Sequence, residues 1–60
     1  MDREKMLMEM LVGNLRDYAH QCWKDGEEED SQYLNSLADK VANGNATDEE
    51  FAEAIYQFTL

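Results

Sequence analysis

A chain of sixty residues with one cysteine, Cys22, and one histidine, His20, has to hold its fold together by packing alone. A domain this short buries only about 60% of the surface its unfolded form exposes. Small scaffolds usually make up the shortfall with disulfides, a structural metal or a partner subunit. One cysteine closes no intrachain disulfide, and one cysteine with one histidine gives too few ligands for a zinc site. No metal and no cofactor are therefore expected. The remaining support is a second surface, so the chain is expected to form a homodimer or to bind another protein tightly. Residues 1–60 are expected to make one helical domain.

With no proline and three glycines, little in the sequence interrupts a helix. The first helix is read from about Asp2 to Lys24. At about 100° per residue, Leu7, Met8, Leu11, Val12, Leu15, Tyr18, Ala19, Cys22 and Trp23 fill one continuous arc. That arc is wide for a helix with one neighbour, and suits one that meets two helices or a helix and a second subunit. Glu9, Arg16, Asp17, His20 and Gln21 lie opposite, joined there by Met6 and Met10. Gly26 is placed as the C-terminal stop. A second helix is read over about Glu28–Asn43, with Leu34, Leu37, Ala38 and Val41 at helical spacing and Asn43-Gly44 as its stop. Asp25, Asp30 and Ser31 are each able to cap its start.

The third helix has the clearest beginning. Thr47-Asp48-Glu49-Glu50 is a capping box, in which the threonine hydroxyl accepts from the Glu50 amide and the glutamate reaches back. Phe51, Ala54, Ile55 and Phe58 then form an apolar stripe that runs towards Leu60. The two connections are short, and short connections make successive helices antiparallel neighbours. The fold expected is all-α, a small three-helix bundle in which a short helical hairpin packs on a long N-terminal helix, with self-association.

Charge is shared unevenly along the chain. Residues 1–24 hold four acids and four bases, whereas residues 25–60 hold ten acids and one base, Lys40, and carry the whole net charge of −9. Direct binding to nucleic acid is disfavoured, because no basic patch exists to replace counterions on a phosphate backbone. Anionic membrane surfaces are disfavoured for the same reason, and no segment approaches the roughly 20 apolar residues of a membrane span. At 43% hydrophobic residues, the chain is too apolar for a disordered acidic tail. The single cysteine and the lack of a signal-peptide pattern point to the cytoplasm.

Two acidic clusters stand out: Glu27, Glu28, Glu29 and Asp30, then Asp48, Glu49, Glu50 and Glu53. Acids at helix starts are favoured by the partial positive charge there, and this alone accounts for such clusters in many helices. An ordinary solvated helix surface, however, interleaves both signs, and residues 25–60 do not. The second reading is therefore a negative surface for a basic protein. If the clusters begin opposite ends of the hairpin, they form an extended stripe able to imitate a phosphate backbone, which would suit a nucleic-acid-binding protein as target. The order of acids in Asp25–Asp30 does not fit a calcium loop of the EF-hand type.

Catalysis is not expected. His20 and Cys22 sit two residues apart on a helix and point in nearly opposite directions. No nucleophile set, phosphate-binding glycine loop or cofactor motif is present. Met6, Met10, Leu15 and Trp23 are the residues expected at an oligomer interface, because methionine adapts its shape readily and the arc is wider than one neighbour needs. The functional expectation is a non-catalytic interaction module that binds a basic target. The alternative is a homo-oligomeric structural or adaptor protein whose acidic surface confers solubility.

Overall fold

The computed structural model describes residues 3–59; Asp2 and Leu60, the expected outer ends of the first and third helices, lie outside the described residues. Three helices follow one another: α1 (Arg3–Lys24), α2 (Glu28–Ala42) and α3 (Asp48–Thr59). The fold is the expected all-α three-helix bundle, with a long first helix and a shorter hairpin packed on it. At 1.5 Å rise per residue α1 is about 33 Å long, close to the molecule's longest dimension of 38 Å. It runs without interruption through Gly13 and Asn14.

The same device ends α1 and α2. Gly26 takes φ 84° and Gly44 takes φ 72°, a left-handed backbone that other residues adopt only with strain. The Gly26 amide donates to the Trp23 carbonyl and the Glu27 amide to the Cys22 carbonyl; Gly44 to Val41 and Asn45 to Lys40 repeat the pattern. These paired bonds satisfy carbonyls that a helix end leaves open. At the first corner they have a further consequence. Glu27 already closes α1 through its amide, and its carbonyl accepts from Ser31 to open α2. Glu27 is thus the N-cap of α2, with no side-chain cap bond, in place of Asp25, Asp30 or Ser31. Ser31 turns inward instead and is buried.

The third helix begins as its sequence indicates. The Glu50 amide donates to Thr47 Oγ1 at 3.2 Å, and the Thr47 amide donates to Glu50 Oε1 at 3.0 Å. Thr47→Ala should lower stability by about 1 kcal/mol and the thermal midpoint by about 4–8 °C. Thermal unfolding followed by circular dichroism measures this, and an unchanged midpoint would show that the box adds nothing.

The hairpin is antiparallel. Lys40, late in α2, meets Glu50, early in α3, at 2.6 Å, while Asp30, Tyr33 and Leu34 of early α2 line one small cavity with Gln57 of late α3. Between the helices, Leu15, Ala19 and Cys22 of α1 pack with Leu34, Leu37, Ala38 and Val41 of α2 and Ala54 of α3, flanked by half-buried Met8, Val12, Ala46 and Phe51. The wide arc of α1 is therefore divided. One part forms the core, and Leu7, Tyr18 and Trp23 stay exposed. No described helix is long and apolar enough to cross a membrane.

Candidate interaction surface

The corner between α1 and α2 concentrates the first acidic cluster. Gly26 turns the chain, Glu27 caps α2, and Glu28, Glu29 and Asp30 occupy its first turn, all exposed. Together they line an open depression of about 400 Å³. Their position follows from helix electrostatics, since the amides of a first turn favour negative charge. Among the described residues no ion pair reaches any of the four, and Arg16 pairs instead with Asp39 at 2.7 Å. The cluster does engage the core at one point. Burial first, then the carboxylates of Glu27 and Asp30, push the Cys22 thiol above its ordinary value. A thiol kept protonated is a poor nucleophile, in keeping with Cys22 as a small packed residue.

The second cluster sits at the other end of the hairpin, and its members differ. Asp48 and Glu49 are exposed in the first turn of α3. Glu53 is half-buried and accepts from Gln57 Nε2 at 3.0 Å. Glu50 is occupied by the capping box and by Lys40. Its charge is locally neutralised, and it contributes least to an acidic surface. The two clusters are not brought together. The antiparallel hairpin places them at its opposite ends, so they do not form a single spot. Among the described residues no three His, Cys, Asp or Glu side chains converge as a metal site.

Glu50 titrates below its ordinary value of 4.5, chiefly because Lys40 bonds its carboxylate and secondly because the Thr47 amide does. A carboxyl whose folded value is depressed adds stability above the unfolded value, and that stability is lost as pH falls through the folded value. Glu50→Gln should therefore lower stability at neutral pH and flatten its decline below about pH 4.5. Equally steep acid limbs in the two proteins would refute the assignment.

The residues expected at an oligomer interface divide. Met6, Met10 and Trp23 are exposed, at 47%, 54% and 61%. Leu15 is not available to a second subunit: it is fully buried at the centre of the chain's own core. The periodicity put it in the middle of the arc, and the middle is the part that α2 and α3 cover. Two features escaped the sequence reading. The Arg16–Asp39 pair joins residues 23 apart, which no local pattern signals. The other is an apolar groove of about 550 Å³ where Met8, Val12 and Gly13 of α1 meet Ala42, rimmed by Glu4, Lys5 and Glu9. Comparison with protein-family models, curated proteins and solved structures finds no match to this chain.

Proposed function

We propose that this chain is a non-catalytic protein–protein interaction module whose acidic surface binds a basic protein, such as one that itself binds nucleic acid. The observation that carries this reading is the exposure of Glu27, Glu28, Glu29 and Asp30 around one depression, with no cation paired to them among the described residues. Asp48, Glu49 and Glu53 extend the negative surface towards the opposite end. The clusters stand at opposite ends of the 15-residue α2, about 22 Å at 1.5 Å per residue, which equals roughly six base pairs of duplex at about 3.4 Å each. Interfaces of this kind weaken with salt, because screening acts on exposed charges. The test is capture of proteins from a cell lysate on the immobilised chain at low and at high salt. A cationic protein retained at low salt and released at high salt supports the reading. Capture that ignores salt, or capture of proteins without a basic surface, opposes it.

A second reading is a homo-oligomeric structural or adaptor subunit whose acidic surface maintains solubility. It is supported by the exposed Met6, Met10 and Trp23 on a chain with a small core. The two readings are compatible, since a dimer would double the acidic surface.

A further inference from the structure

One face shared by α1 and α2 is apolar at one end and carries an unburied tryptophan at the other. Lys5 and Trp23 are eighteen residues apart, about five helical turns, so they project from the same side of α1. Val12 and Arg16 fall on that side between them. On α2, Ala42 lines the groove and Asp39 reaches Arg16. Glu28 shares their stripe at the opposite end, by helical spacing. This face lies away from α3, because Ala42 projects from α2 about 200° from Lys40, which meets α3. Trp23, with His20 stacked on it at 6.1 Å, is the most exposed large apolar side chain among the described residues. It stands roughly 20 Å further along α1 than the middle of the groove.

We infer that a second copy of this chain covers this face, with the two α1 helices antiparallel about a two-fold axis, so that each Trp23 enters the groove of the other copy. This rests on the self-association reading and gives it a surface. The axis passes near the Arg16–Asp39 pairs, which are internally neutral. Each Lys5, at the groove rim with Glu4 and Glu9, then comes beside Glu28 of the other copy, and this cross-copy pair of opposite charge favours that rotation. A contact centred on α1 also limits the repulsion between two copies. Two chains of net charge −9 repel through residues 25–60, whereas residues 1–24 are neutral overall. Gly13 fits the same arrangement. A Cβ there would meet nothing within 4 Å, so packing within one chain gives no reason for a glycine that costs about 1 kcal/mol against alanine in a helix. A groove wall without a side chain leaves room for an indole.

Because Trp23 is the single tryptophan, its fluorescence reports directly on this contact. Sedimentation equilibrium from micromolar to millimolar protein should show a monomer–dimer transition, with the emission moving to shorter wavelength along the same curve. Gly13→Leu, which has room to fold, and Trp23→Ala should each weaken the dimer at least roughly tenfold. Lys5→Glu should weaken it, and Glu28→Lys added to Lys5→Glu should restore it. A dimer with unchanged emission, or one that survives Gly13→Leu, would overturn this surface while leaving self-association standing. A monomer at every concentration overturns both. A monomeric chain whose groove takes up an apolar dye would make the groove a small-molecule site and would also overturn the inference.

Discussion

Leu15→Ala should leave the chain largely unfolded near body temperature, and Leu15→Glu should unfold it altogether. Leu15 has no exposed surface and sits where all three helices meet. Truncating a buried leucine to alanine costs about 2–5 kcal/mol, through lost burial and the cavity left behind. At roughly 0.05–0.15 kcal/mol per residue, a chain of this length has about 3–9 kcal/mol in total. One substitution thus removes a large share of the stability. A buried, unpaired carboxylate at the same place costs more, because desolvating a charge has no compensating partner there. Met10→Glu is the contrasting change. Met10 is more than half exposed, so its replacement should shift the urea midpoint little. Circular dichroism during urea unfolding of the three variants measures the difference. A Leu15→Ala protein as stable as the parent would show that the core lies elsewhere.

That contrast marks how far the sequence could be read. Periodicity located the helices and their stops, because Gly26 and Gly44 provide a conformation other residues avoid and Thr47-x-x-Glu50 is a local bonding pattern. It also gave the direction of the apolar arc on α1. It could not say which part of that arc α2 and α3 would cover, because coverage depends on how three helices cross. Leu15 was therefore grouped with Met6, Met10 and Trp23, although only the last three reach the surface. The start of α2 was placed correctly at Glu28, but its cap was misjudged for a similar reason. Asp25, Asp30 and Ser31 are all good caps in isolation, but the turn at Gly26 commits the Glu27 amide to α1 and fixes the start of α2 one residue later. The acidic surface was legible as a sum of charges. Its internal differences were not, since the pairing of Glu50 with Lys40 depends on the hairpin closing.

Changing Glu27, Glu28, Glu29 and Asp30 to lysine should abolish binding to a cationic target while the helices persist. The substitution reverses the sign of the whole corner and places four cations where negative charge is favoured. Some loss of stability is expected from the α2 N-terminus, where positive charge is unfavourable. A second variant, with the three glutamates changed to glutamine and Asp30 to asparagine, keeps the shape of the corner and removes its charge. It should bind weakly, with little remaining dependence on salt. Circular dichroism of both variants separates loss of charge from loss of fold.

The deciding titration uses whichever cationic protein is captured at low salt, with the parent chain and the two variants compared at two ionic strengths. Affinity should fall at least roughly a hundredfold on neutralisation, fall further on reversal, and weaken with salt most steeply in the parent. If all three bind the same protein equally well, the carboxylates at the α1–α2 corner serve only the helix they begin.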